Sequence, residues 1–97
     1  YMIKDRLGQA IFGTNTHNLK LDLRDIAVDQ QVGVDFDFVA NIGPGSYSVA
    51  VALHTGSTHM ANNYQWRDRV MEFSVVNGKE AEFVGVAWLP AQAKVLL

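Results

Sequence analysis

The stretch from residue 54 to residue 69 carries the side chains of this 97-residue chain that are best suited to binding chemistry. It reads HTGSTHMANNYQWRDR and combines hydroxyls, amides, two large aromatic rings and two arginines. Sugar-binding sites use these groups, because a flat ring packs on the apolar C–H face of a pyranose while amides and arginine bind its hydroxyls. The stretch therefore predicts a carbohydrate-binding site in a long loop, with the candidate residues His54, Asn62, Tyr64, Trp66 and Arg67.

The aromatic residues also have a structural interpretation. A tryptophan next to a strand can cover a hydrophobic core, because its large apolar ring is highly buried on average. Trp66 and Trp88 are open to both interpretations from the sequence. Tyr47 lies on the alternating apolar face of its stretch and is predicted to be structural.

Catalytic chemistry has little support in the sequence. Asp35 and Asp37 could form the carboxylate pair of a glycoside hydrolase, but their spacing also fits two solvated charges on one strand face. His17, His54 and His59 lack the spacing of a zinc site. The chain has no cysteine, no GxSxG motif and no Gly-Lys-Ser/Thr sequence for phosphates. We therefore expect a non-catalytic domain with no metal and no cofactor.

Thr14, Asn15 and Thr16 form a polar cluster directly after Gly13, where a predicted strand ends. Short hydroxyl and amide side chains in such a place bond to nearby backbone groups and hold turns. A single glycine with no lysine after it excludes a phosphate-binding loop. We predict that the cluster is a structural corner and not part of the sugar site.

Alternation of apolar and polar residues is the strongest structural signal in the chain. It predicts strands at 1–6, 10–14, 19–28, 32–40, 46–54, 70–76, 81–89 and 93–97. Pro44 between two glycines and the Asn77-Gly78 pair are typical of turns between antiparallel strands. No segment shows helical spacing with caps. Residues 1–97 are therefore predicted to form a single all-β domain, an antiparallel β-sandwich.

The composition limits the classes of partner and compartment. Apolar residues make up 48% of the chain, which is enough for a packed core. The formal charge of -2 includes no basic block, so no nucleic acid is expected as a partner. No apolar run approaches the roughly 20 residues of a membrane span, and the lack of cysteine favours a reducing compartment. Because the chain starts without methionine in a predicted strand, we expect a longer protein around it.

Residues 3–19, IKDRLGQAIFGTNTHNL, carry the features of a known family. They contain an Asp-x-x-Gly turn at 5–8, an apolar pair at 11–12 and Gly-Thr-Asn-Thr at 13–16. The stretches GPGSYSVAVALH, WRDRVMEFSV and VGVAWLP add further matching strands. Over nearly its whole length the chain resembles the C-terminal domain of Wzt, the nucleotide-binding subunit of ABC transporters that export O-antigen polysaccharide.

The resemblance implies an immunoglobulin-like β-sandwich that binds finished O-antigen polysaccharide, the O-chain of lipopolysaccharide, and presents it for export. It also implies a homodimer, an ATPase domain ahead of this one, and a membrane subunit of the transporter as a partner. The expected location is cytoplasmic, at the inner face of the inner membrane. These expectations concern the family, and the five candidate binding residues do not come from it.

Two alternatives remain open from the sequence. A structural or protein-interaction β-sandwich without glycan binding would use the same loop or an open sheet edge. Separately, the apolar stretch 93–97 at the end of the chain could pair with its own sheet or with the edge of a neighbouring copy. Strand exchange of that kind is one predicted route to a dimer.

Overall fold

The computed structural model describes residues 1–54, 63–78 and 81–97, and within them it has one antiparallel sheet. The strands are β1 (Met2–Asp5), β2 (Ala10–Gly13), β3 (Gly45–His54) and β4 (Asn63–Val75). Their spatial order is β2-β1-β3-β4, so the first hairpin docks through β1 against β3. No helix occurs in the described residues, and none there could span a membrane. The predicted all-β antiparallel class is confirmed.

The turn between β1 and β2 explains the Asp-x-x-Gly sequence. Asp5 Oδ1 accepts hydrogen bonds from the backbone nitrogens of Leu7 and Gln9, both at 2.9 Å. The backbone of Asp5 also bonds to Gln9 and Gly8, at 2.9 and 3.0 Å. Gly8 has a φ of 82°, a left-handed conformation that glycine adopts without steric cost. The predicted hairpin is therefore confirmed and has a local cause.

The core of the sheet lies on one face and is small. Ile3, Tyr47 and Val49 are buried there, and the partly buried rings of Tyr1 and Phe73 pack against them. The rings of Tyr47 and Phe73 are stacked, with their centroids 5.5 Å apart. Because the side chains of a strand alternate between faces, Tyr47 and Val49 point to the same side, as the sequence predicts.

The hydroxyl of Tyr47 donates a hydrogen bond of 2.5 Å to the backbone oxygen of Gly43, four residues earlier. A buried tyrosine that bonds back to the chain just upstream of its strand also occurs in immunoglobulin-type sandwiches, where it is called a tyrosine corner. This bond supports the predicted sandwich. With one sheet in the described residues, the immunoglobulin-like sandwich itself stays a prediction.

Several predicted strands do not form. Residues 19–28, 32–40 and 81–97 contain no strand, and an isolated bridge joins Ile42 to Ala87. Alternation places apolar groups on one side of a segment, but a strand also needs the backbone of a partner at hydrogen-bonding distance. In these segments some apolar side chains stay in water, such as Val39 and Val84, which are 79% and 102% exposed. Others pack on the sheet, since the rings of Phe36 and Phe38 lie against Tyr1.

Candidate functional site

Strand β4 begins earlier than the sequence predicts, and this changes the setting of the candidate residues. Trp66 and Arg67, expected in a loop, lie in β4, opposite Ala52 and Val51 of β3. The reason is that β3 continues to His54 and pairs with β4 as far as that residue, with register shifts between Val49 and Val51 and between Leu53 and His54. Because consecutive residues of a strand point to opposite faces, Trp66 and Arg67 are separated by the sheet.

Small side chains on the face opposite the core create a cavity of about 390 Å³, here called the tryptophan cavity. Gly13 and Ala50 flank Met2 across the sheet, and Ala52 follows on the same face. A Cβ on Gly13 would lie only 3.2 Å from the backbone oxygen of Tyr1, so glycine is favoured there. The cavity's polar and aromatic lining residues are Tyr1, Thr14, Asn15, Asn18, His54 and Trp66.

Trp66 forms one wall of this cavity and is 40% exposed. The Nζ atom of Lys4 lies 5.8 Å from the centre of the Trp66 ring, at cation–π distance. The same Nζ atom is 3.3 Å from Asp68 Oδ1. These contacts hold the indole at the rim while leaving a large part of it open to a ligand.

His54 ends β3 and lines the cavity near Trp66. Its Nδ1 atom is buried and has no hydrogen-bond partner in the described part of the chain. Buried polar atoms are nearly always paired, so an unpaired ring nitrogen beside a cavity is a candidate contact for a bound hydroxyl. The structure thus brings together two of the predicted residues, His54 and Trp66.

The polar corner after β2 forms another wall of the tryptophan cavity. The backbones of Thr14 and Tyr1 bond to each other at 2.9 and 3.1 Å. Asn15 Oδ1 accepts a hydrogen bond of 2.6 Å from the backbone nitrogen of Asn18. The predicted structural corner is therefore confirmed for Asn15, and the corner also lines the cavity, which the sequence interpretation missed.

A second cavity of about 600 Å³, here called the His17 cavity, lies beyond the corner. His17 Nδ1 is 2.9 Å from Asp22 Oδ1, and Arg24 Nη2 donates to Asp22 Oδ2 at 3.3 Å. The pKa of Asp22 is below its ordinary value. The hydrogen bond with His17 is the largest cause, and the hydrogen bond with Arg24 is the second. The three side chains therefore form one connected polar group at the surface.

The remaining predicted site residues are Asn62, Tyr64 and Arg67, and the one whose side chain the structure describes, Arg67, lines neither cavity. Asn62 and the side chain of Tyr64 lie outside the described residues. Arg67 is exposed, and its Nε and Nη2 atoms lie 2.8 and 3.0 Å from Gln65 once that amide is turned to face them. A role of these three residues in binding stays a prediction.

The alternative chemistries gain no geometric support. Asp35 and Asp37 are exposed in a segment without a strand, and neither lines the two cavities. Among the described residues there is no group of three or more His, Asp or Glu side chains that could hold a metal ion. His59 lies outside those residues.

One sequence signal could have pointed to the cavity. In the stretch SVAVAL, Ala50 and Ala52 alternate with Val49 and Val51, so one face of the strand carries only small side chains. A strand with a large side chain on one face and a methyl group on the other leaves a depression unless a second layer fills it. The polar corner and the small-residue face together mark the site.

Comparison with known families gives a match over most of the chain. The family model described as the Wzt C-terminal domain matches residues 1–89, a range that includes every described residue named in both cavities. No individually curated protein matches the chain significantly.

Proposed function

The chain belongs to the family of the Wzt C-terminal domain, part of a subunit of O-antigen ABC transporters, and we propose that it binds O-antigen polysaccharide in the tryptophan cavity. Binding selects the polysaccharide for export, and this domain performs no catalysis on it. The proposal rests on the tryptophan cavity itself. Trp66 and His54 line this cavity together with small residues of the sheet and with the asparagines of the polar corner after β2.

Trp66 is the main contact for the sugar ring. A pyranose has a face of C–H bonds that packs on an aromatic ring, and a partly exposed indole at a cavity wall offers that surface. Lys4, close to the ring, limits its motion, so less side-chain entropy is lost when a ligand binds.

The polar groups of the tryptophan cavity orient the bound sugar. His54 Nδ1 gains a hydrogen-bond partner when a sugar hydroxyl reaches it, and this removes the cost of leaving a buried nitrogen unpaired. Thr14 and Asn18 add a hydroxyl and an amide at the opposite wall. Such a site, apolar on one side with a few convergent polar groups, suits a neutral hydroxyl-rich ligand.

The other candidate residues complete the proposal. Asn62 and Tyr64 precede Trp66 in the chain and extend the contact along the glycan, with their amide and ring. Arg67, on the opposite face of β4, acts at the edge of the sheet, where a long polysaccharide can pass around the rim.

In the cell, residues 1–97 act as one domain of an ATP-binding subunit at the cytoplasmic face of the inner membrane. Two such subunits serve one transporter, so the domain works as a homodimer and reaches the membrane subunit through the full-length protein. Each domain of the homodimer offers one weak site, and both sites can bind the same long repetitive glycan. Once one site is occupied, the effective concentration of glycan at the second site is high, so the overall affinity rises.

A protein-interaction role is the second candidate, and the exposed apolar side chains favour it. Large apolar side chains are exposed at many described positions, among them Val39, Val84 and Leu96 at 79%, 102% and 83%. Extended exposed apolar surface is typical of protein-interaction sites. In this role the domain docks a protein and leaves the tryptophan cavity empty.

The experiment that separates the two roles is fluorescence titration of a Trp88→Phe variant. Trp88 packs on Phe83, with ring centroids 5.2 Å apart, and does not line the tryptophan cavity, so in the variant the emission reports Trp66 alone. The ligands are purified O-polysaccharides, including that of the source bacterium. We expect saturable quenching or a blue shift with one polysaccharide and no change with its relatives.

The control is the same titration with a Trp66→Phe variant, followed by calorimetry. Binding that leaves the emission of Trp66 unchanged would place the site elsewhere on the domain. Absence of binding to every polysaccharide would refute the proposal and favour protein docking.

A further inference from the structure

The tryptophan cavity and the His17 cavity meet at His54. They share three lining residues, which are Asn15, Ala52 and His54. Their volumes, about 390 and 600 Å³, each fall in the range of roughly 300–1,000 Å³ that is typical of small-molecule sites. Because the same three residues border both cavities, the two cavities adjoin and form one open groove. This groove bends around the end of β3.

The far half of this groove has unused hydrogen-bonding capacity. A carboxylate offers about four acceptor positions and a guanidinium about five donors, and the contacts of Asp22 with His17 and Arg24 use only part of them. The side chains of Asp22 and Arg24 are 39% and 78% exposed, so further partners can reach them. Since their charges balance, the group favours hydroxyls over a charged substituent.

Apolar surface lies next to this polar group. Leu23, Ile26 and Leu53 line the same cavity, and all three are exposed. A sugar unit has an apolar C–H face and a rim of hydroxyls, so it can cover the aliphatic side chains while its hydroxyls meet the polar group.

The backbone holds the polar group in position before any ligand arrives. The nitrogen of Leu21 bonds to Thr16 O at 2.7 Å, and that of Lys20 bonds to His17 O at 2.9 Å. Lys20 has a φ of 62°, which completes the Schellman pattern that closes a helical turn. A turn fixed in this way loses little entropy on binding.

We propose, resting on the function above, that the groove binds a segment of polysaccharide, with consecutive sugar units in the tryptophan cavity and in the His17 cavity. His54 lies at the junction and contacts the linkage region. Asp22 and Arg24 bind hydroxyls of the second unit, so the site reads a sequence of at least two sugars and not a single sugar.

The test uses the O-polysaccharide of the source bacterium, cut to its component monosaccharides and to fragments of one and two repeat units. Amide and indole chemical shifts of the 97-residue chain are followed by NMR during titration. We expect the repeat-unit fragments to shift the signals of Trp66, His54 and the turn at 16–24 together, and to bind more tightly than any monosaccharide.

Affinity is then compared between variants by calorimetry with the two-repeat fragment. Arg24→Gln and Asp22→Asn each lower the affinity about fivefold or more. The matched control Arg6→Gln removes an exposed arginine outside the groove and leaves the affinity unchanged.

The outcomes separate this inference from the function on which it rests. If binding shifts only the NMR signals of residues around Trp66, the two-cavity groove is overturned while the proposed function stands. The same conclusion follows if the affinity of Arg24→Gln equals that of the unaltered chain. Absence of binding by any fragment and by the intact polysaccharide overturns both.

Discussion

Ala52 and Trp66 are directly opposite each other in the ladder between β3 and β4, on the face of the sheet opposite the cluster of Ile3, Tyr47 and Val49. In an antiparallel pair the opposite side chains lie about 5 Å apart, so a larger residue at position 52 would cover part of the indole. The methyl group of Ala52 therefore decides how much of the Trp66 ring a ligand can reach. Ala52 also lines both cavities, which makes it the most informative position for a steric test.

Ala52→Leu is expected to abolish or strongly weaken polysaccharide binding while the domain stays folded. The added side chain fills empty space beside a partly buried position, so no core residue has to move. Binding is measured by calorimetry and folding by circular dichroism and thermal melting. The matched control is Ala10→Leu, the same change at an exposed position of β2. Unchanged binding by Ala52→Leu would mean that the ligand does not enter the tryptophan cavity.

Asp5→Ala is expected to destabilise the domain by about 1 kcal/mol, because Asp5 Oδ1 caps two backbone nitrogens of the first hairpin turn. For a domain of this size the change corresponds to a fall in Tm of roughly 4–8 °C. Asp5→Asn keeps an acceptor oxygen in the same place, so its free energy of unfolding should fall by less than that of Asp5→Ala. Equal losses in the two variants would show that the carboxylate charge, and not the hydrogen-bond geometry, holds the turn.

Tyr47→Phe is expected to cost about 1–2 kcal/mol of unfolding free energy, because it removes a buried hydroxyl and leaves the Gly43 oxygen without that donor. Urea unfolding followed by circular dichroism measures the difference. Tyr1→Phe serves as the control, since Tyr1 is only partly buried at the edge of the same core. A smaller loss for Tyr47→Phe than for Tyr1→Phe would argue against the tyrosine corner as a stabilising element.

Local chemistry explains which parts of the fold the sequence predicts correctly. The turn at 5–8 depends on the side chain of Asp5 and the backbone freedom of Gly8, both visible in four residues. Alternation correctly places Tyr47 and Val49 on the buried face of β3, whereas Val51 and Leu53, which share that face, are 37% and 57% exposed. Such features need no knowledge of distant partners.

Features that depend on long-range pairing were not predictable in the same way. The alternation in 32–40 is as regular as that of β3, yet the structure has no strand there, because alternation by itself supplies no hydrogen-bonding partner for the backbone. The site shows the same limit: the ring of Trp66 makes it a candidate for binding, but its position opposite Ala52 depends on the register of β4. The local sequence of the polar corner indicates only a structural role, because it does not reveal that His54 and Trp66 lie beside it.

Asp22 is expected to titrate below the ordinary aspartate pKa of 3.8, because His17 first, and then Arg24, bond to its charged form. A depressed pKa in the folded state stabilises that state above the ordinary value, and the contribution is lost as the pH falls through the folded pKa. Removing His17 by His17→Ala should raise the pKa of Asp22, and Arg24→Ala should raise it by less. Carboxyl-carbon NMR titration measures each pKa, and Asp22→Asn should remove this part of the acid dependence of Tm. If neither alanine variant moved the pKa of Asp22, the connected polar group would not exist in solution, and the far half of the groove would lose its hydrogen-bonding centre.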